Sequence, residues 1–235
     1  MFKKVLLLIF TLSLFACSGS NDNDNAGIKN TQGDSAPPAG DMVERYIEGM
    51  HYTRLKTPLA TNSDKIVVTE FFWYGCPHCE HFEPVLEAWE AKKPADVELV
   101  RSPAVWSEPM KLHAKLFFFV QTLPDWKHVH ARLFQEVISL HDQKNMGVQD
   151  RKLAQFLTTL GVSEDDYQAG MKSPELESKV KAAMTLMQKA DVQGTPAIMI
   201  DGKYMVNNQA VKSVEELLDI ADFLIAKERQ SGGKN

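Results

Sequence analysis

Residues 65–79 read Lys65-Ile66-Val67-Val68-Thr69-Glu70-Phe71-Phe72-Trp73-Tyr74-Gly75-Cys76-Pro77-His78-Cys79. The first nine are rich in β-branched and aromatic side chains and predict a buried strand. A helix is expected to open right after Cys76. Pro77 suits its first position, because the N–H that proline lacks would have no intrahelical partner there. A Cys-x-x-Cys placed between a buried strand and a helix is the setting of a redox dithiol rather than of a zinc knuckle. The N–H groups of His78 and Cys79 then point back at the Cys76 sulfur. The helix N-terminus carries about half a positive charge, and both effects favour a thiolate. His78 is expected to add a positive charge or a hydrogen bond. On a 3.6-residue period Cys79 aligns with Phe82 and Leu86, in a stripe that also uses Trp89. Cys79 is therefore expected to be buried, with a high pKa. Cys76 is expected to be exposed and to be the sulfur that attacks or is attacked, with Cys79 resolving.

Working outward, residues 51–55 and 97–101 predict two further strands. Residues 107–191 turn helical. Leu153, Phe156, Leu157 and Leu160 share a face that ends at Gly161, Ser163 caps a short helix ending at Gly170, and Leu176, Val180, Ala183, Met184 and Met187 mark another. The run at 116–120, Leu-Phe-Phe-Phe-Val, is apolar all round and reads as core. Part of it could border the active site and hold unfolded substrate. Residues 197–200 form a strand, Asp201-Gly202 a tight turn, and residues 204–206 pair back as a hairpin. Ser213 and Glu216 predict a capping box for a last helix burying Val214, Leu217, Leu218, Ala221 and Leu224. The result is an α/β chain whose mixed sheet is interrupted by a helical block.

The 235 residues, 44% apolar and 24% charged, exclude a disordered or collagen-like chain. With 26 basic against 31 acidic residues and no basic stripe, the chain is not a nucleic-acid binder. Three cysteines cannot form the disulfide scaffold of a small secreted domain. At the N-terminus, Lys3 and Lys4 precede an apolar stretch at 5–15. It is too short for a bilayer, which needs about 20 residues, so residues 1–16 read as a signal peptide. Leu14-Phe15-Ala16-Cys17 resembles a bacterial lipobox, with Cys17 as the lipidated first residue of the mature chain. The alternative is plain secretion. Residues 18–40 hold a single large apolar side chain, Ile28, and read as a linker too polar to fold.

The stretch 70–79 resembles the active-site segment of the DsbA family of thiol:disulfide oxidoreductases. Pro84 matches a proline that kinks the active-site helix in many thioredoxin-fold proteins, and Gly194-Thr195-Pro196 matches the loop whose cis-proline faces the active site. The resemblance spans about residues 46–228. It implies a thioredoxin-like fold from residues 41–106 and 191–235 with an inserted α-helical domain at 107–190. It implies Cys76, Pro77, His78 and Cys79 as the redox centre, Thr195 and Pro196 as the substrate-binding loop, and Glu70, beneath Cys79, in proton transfer. The other reading of Glu70 is a strand-edge acid facing water. It implies no cofactor and no metal beyond the redox-active Cys76–Cys79 disulfide. It implies unfolded exported proteins as substrates, a DsbB-like quinone-linked membrane oxidase as partner, and a periplasmic, lipid-anchored location. The Pro77-His78 pair is that of the family's oxidases; Thr195 departs from the Val of its best-known members.

Two other functions are weighed against this. An isomerase or reductase of the same fold would usually carry an N-terminal dimerisation domain, and residues 18–50 are too short and polar for one. A copper or zinc carrier would need Cys76, Cys79, His78 and His81 to close a tetrahedron, and ligands this crowded seldom do. Covalent c-type haem would need His at the position of Glu80. His81, His113, His128, His130 and His141 are expected on helix surfaces.

Overall fold

The computed structural model describes residues 45–232; the expected signal peptide at 1–16, Cys17 and the linker at 18–40 lie outside the described residues. At its centre is strand β2, Ile66–Phe72, buried along its whole length. Such a strand carries no polar alternation because both its faces are covered. We number its companions in chain order: β1 (Tyr52–Arg54), β3 (Val97–Pro103), β4 (Ala197–Ile200) and β5 (Tyr204–Val206). The order across the sheet is β1-β5-β4-β2-β3. β2 and β3 are parallel, and the remaining pairs are antiparallel. A parallel pair needs a crossover, which helix α1, Pro77–Glu90, supplies. It continues unbroken through Pro84.

Side chains along a strand alternate between its two faces. Ile66, Val68, Ile198 and Ile200 therefore share one apolar cluster with Phe82 and Leu86 of α1 and Leu217, Leu218, Ala221 and Leu224 of α7 (Val214–Gln230). Phe71, Ala197 and Met199 pack on the opposite face with Ala114 of α2 (Glu108–Val120) and Val180 and Met187 of α6 (Pro174–Lys189). At the β4–β5 hairpin both Asp201 and Gly202 have positive φ, 47° and 64°, the pattern of a type I′ turn. A Cβ at position 202 would lie 2.1 Å from the Leu59 carbonyl oxygen, so only glycine fits.

Between β3 and β4 stand α2, α3 (Trp126–Ser139), α4 (Met146–Thr159), α5 (Glu164–Met171) and α6. Ser163 caps α5 by accepting the Asp166 N–H, and Gly161, at φ 88°, follows the end of α4. The block's core includes Leu116, Phe117, Leu133, Phe134, Leu153 and Leu157, and runs on without a break into Phe72, Tyr74, Cys76 and Cys79. The helices thus pack directly on the CPHC segment. The run at 116–120 is mostly core: the Phe117 ring is fully buried, edge-on to Phe72 at 4.9 Å, and Phe118 is half-buried. The capping box at Ser213 and Glu216 is also corrected. Ser213 makes no cap bond, and Glu216 reaches one residue further back to accept the Lys212 N–H at 2.6 Å.

Candidate active site

Cys76 is the N-cap residue of α1, extended at φ −99° and ψ 111°, with Pro77 in the first turn. Its N–H donates to the Trp73 carbonyl at 3.0 Å, and its own carbonyl accepts from the N–H groups of Cys79 and Glu80 at 3.0 and 3.1 Å. Both cysteines are free thiols. The expected exposure of Cys76 is corrected: it is only 7% exposed, against 0% for Cys79. The Thr195–Pro196 loop lies against it. That peptide bond is cis, and the Cys76 thiol donates to the Thr195 carbonyl at 3.3 Å.

The two sulfurs are nonetheless unequal. The Cys79 thiol donates to Cys76, and with the Thr195 side chain and the backbone N–H groups of Cys79 and His78 it outweighs burial and pulls the Cys76 thiol from 9.0 to about 5. His78 enters through its backbone N–H, and the residue is exposed. Burial, the hydrogen bond to Cys76 and the charge there push the Cys79 thiol far above the ordinary thiol range. A thiolate is the reactive species, so this asymmetry assigns different chemistry to the two positions.

Glu70 is fully buried, which removes the water-facing reading. It shares the sheet face of Ile66 and Val68 and stands opposite Arg101 in the parallel β2–β3 register. Neither carboxylate oxygen of Glu70 has a hydrogen-bond partner, and Arg101 Nε is 3.7 Å away. Burial, together with the nearby Glu83, raises the Glu70 pKa well above the carboxyl range. Of the carboxyls around Arg101, Glu70 is the one that burial pushes toward its protonated form. Arg101 spends its better bonds elsewhere, donating to Glu83 Oε1 at 2.8 Å and Glu90 Oε2 at 3.1 Å. Against the opposing effect of burial, His130 and Arg101 hold Glu83 below the usual range.

Two of the histidines expected at helix surfaces are buried. His130, 0% exposed, has Nδ1 2.7 Å from the Tyr74 hydroxyl and Nε2 3.4 Å from Glu83 Oε2. His113, 3% exposed, accepts from Trp73 Nε1 at 2.9 Å and faces Gln149 Oε1 with Nε2 at 3.2 Å. Burial lowers both, His113 to about 4. His81 and His128 are exposed on helix surfaces as expected, and His141 is exposed in the turn that follows α3. The helical period held a signal for the buried two: His113 shares a face with Met110 and Phe117, and His130 lies one turn from Trp126 and Phe134. The roles of Arg101, Glu83 and Tyr74 around the site were also missed. Among the described residues, no group of three or more His, Cys, Asp or Glu side chains is placed to hold a metal ion.

A low-pKa cysteine at a helix N-terminus, a buried second thiol behind it and a cis-Pro loop across it, on this mixed sheet, define a thioredoxin-fold protein of dithiol–disulfide exchange. A family profile described as a DSBA-like thioredoxin domain matches residues 114–219. The thiol:disulfide interchange protein DsbA of Pseudomonas aeruginosa is 32% identical over 194 residues, covering 82% of this chain and 90% of the relative. That of Pseudomonas syringae pv. tomato is 36% identical over 193 residues, covering 80% and 86%. The crystal structure of Pseudomonas aeruginosa DsbA superposes with a TM-score of 0.72 at 32% identity, over 80% of this chain and 96% of that one. The chain belongs to the DsbA family of thiol:disulfide interchange proteins, and it is a thiol:disulfide oxidoreductase with the thioredoxin-like fold of that family.

Proposed function

We propose that the enzyme works as a dithiol oxidase: oxidised at Cys76–Cys79, it donates that disulfide to exported proteins with free thiols. A substrate thiolate attacks Cys76; the Cys76–Cys79 bond breaks and a mixed disulfide forms. Cys79 leaves as a thiolate and takes the proton of Glu70. A second substrate thiolate attacks the substrate sulfur of the mixed disulfide, closing the substrate's disulfide and releasing the Cys76 thiolate. Two electrons pass from substrate to enzyme. Pro77 and His78 shape the helix start, and Thr195 and Pro196 position the substrate backbone beside Cys76. A DsbB-like quinone-linked membrane oxidase removes the two electrons, and no other cofactor is needed.

What carries this reading is the split between the thiols, Cys76 drawn down to about 5 and Cys79 pushed far up. A stable Cys76 thiolate stabilises the reduced enzyme and makes Cys76 a good leaving group, and both make the disulfide a strong oxidant. Each unit below 7 corresponds to about 30 mV for two electrons. We read residues 41–106 and 191–235 as the catalytic thioredoxin-like domain, 107–190 as its insertion, and Cys17 with residues 18–40 as a lipid anchor and tether following a signal peptide, which sets the enzyme in the periplasm at a membrane surface.

The test is trapping. Cys79→Ser, offered reduced unfolded protein after activation with a mixed-disulfide reagent, accumulates adducts through Cys76 on non-reducing gels, and Cys76→Ser accumulates none. Equal trapping by the two variants refutes the assignment of roles.

A further inference from the structure

Trp73 reaches both cysteines through its backbone. Its carbonyl accepts the Cys76 N–H at 3.0 Å, and its backbone hydrogen-bonds the Cys79 sulfur. Its indole lies over Gly75, where a Cβ would fall 2.3 Å from the ring. The backbone before Cys76 is therefore pressed against this one side chain.

The N–H of the same ring, bonded to one of the carbons that lie over Gly75, is held by the helical block. Trp73 Nε1 donates to His113 Nδ1 of α2 at 2.9 Å, with the two ring planes 20° apart. An indole N–H can only donate, so His113 Nδ1 is bare. The proton of the neutral imidazole is then on Nε2, 3.2 Å from Gln149 Oε1 of α4. The Gln149 amide N–H₂ in turn lies 3.5 Å from the Leu140 carbonyl. Every polar atom of this chain has one role, and His113 and Gln149 are 3% and 4% exposed, out of competition with water. An apolar side chain at 113 would fill the space and leave the half-buried indole N–H without its acceptor.

We infer that His113 is a positioning residue for the redox centre: by holding the indole of Trp73 it fixes the backbone groups that frame Cys76 and Cys79. The inference rests on reading those two cysteines as the redox pair. The thiolate of Cys76 is stabilised by donors of set position, so slack in residues 73–76 loosens that stabilisation and weakens the oxidant. His113 touches neither sulfur; it acts through Trp73.

The experiment measures the equilibrium of the whole protein with glutathione and the Cys76 thiolate titration. His113→Leu is expected to shift the glutathione equilibrium toward the oxidised protein by about fivefold, the worth of one hydrogen bond and equal to about 20 mV. The Cys76 midpoint should move up with it. His113→Asn, whose side-chain oxygen can stand near the Nδ1 position, should stay within about twofold of wild type. Trp73→Phe should reproduce the shift, and adding His113→Leu to it should add nothing. A His113→Leu protein that is less stable to urea but unchanged in both redox readouts overturns the inference, as does a further shift in the Trp73→Phe background. Should His113→Leu not fold, Trp73→Phe with an unchanged equilibrium overturns it equally. If instead Cys76→Ser retains the wild-type equilibrium with glutathione, it is the redox assignment that falls.

Discussion

The sulfur of Cys76 lies 3.3 Å from the carbonyl oxygen of Thr195, 119 residues further along the chain. The contact joins the start of α1 to the loop that enters β4. It gives Thr195 two opposed roles. Its carbonyl accepts from the Cys76 thiol, and its side chain is among the groups that draw the Cys76 pKa down.

Thr195→Val removes the second role and keeps the first. Hydrogen bonds to charged groups are worth about 1.5–3 kcal/mol, so the Cys76 midpoint should rise by about one unit, with a roughly tenfold weaker oxidant. Thiolate absorbance against pH checks it; a midpoint that stays or falls refutes the role of the hydroxyl.

The reduced protein should gain stability over the oxidised protein as pH rises. The folded Cys76 thiol, at about 5, has shed its proton while the unfolded thiol, at 9.0, still holds it. The unfolded state therefore binds one more proton. The contribution is present above the unfolded value and is lost as pH falls through the folded one. Between pH 5 and 8 the difference in unfolding free energy, reduced minus oxidised, should grow by about 1.4 kcal/mol per pH unit. Urea unfolding of both forms across that range measures the slope, and a flat difference contradicts it.

Glu70→Gln separates stability from turnover. The raised Glu70 pKa means that folding favours the protonated acid, so Glu70 works against the fold increasingly as pH rises above the usual carboxyl range. The variant should be more stable than wild type at pH 7, with the gain shrinking toward pH 4. It should also exchange disulfides more slowly, because Gln has no proton to give Cys79. Urea midpoints at the two pH values and single-turnover rates decide both halves.

Arg101→Leu should destabilise by about 3–5 kcal/mol, since it strands buried Glu83 without its cation. Adding Glu83→Gln should restore part of that loss. Denaturant unfolding at pH 7 reads both effects, and a single variant near wild type would mean that the ion pair is not what neutralises this interior.

The fold and the placement of the two cysteines at the head of a helix were legible because their signals are local. The run at 65–73 is dominated by β-branched and aromatic side chains with no polar alternation, as suits a central strand, and Pro77 marks the first turn of α1 whatever packs around it. Asp201-Gly202 encodes its own hairpin through the two positive φ values. The burial of Cys79 follows from helical period alone, from its place beside Phe82 and Leu86.

Other properties of the site arise between segments that no period connects. Cys76 looked exposed because it heads a helix, and it is covered by a loop from the far end of the chain. Trp73 meets His113 across 40 residues and Tyr74 meets His130 across 56, so two histidines that an isolated helix would leave in water have specific buried partners. Glu70 and Arg101 each look misplaced in an apolar strand; register alone sets them opposite one another. By itself the sequence determined which cysteine heads the helix and which lies buried in its first turn, since both follow from local helix geometry. How acidic one thiol is, and that burial raises the Glu70 carboxyl, was decided only by tertiary structure, because burial and Coulomb interaction depend on which distant groups folding brings within a few ångströms.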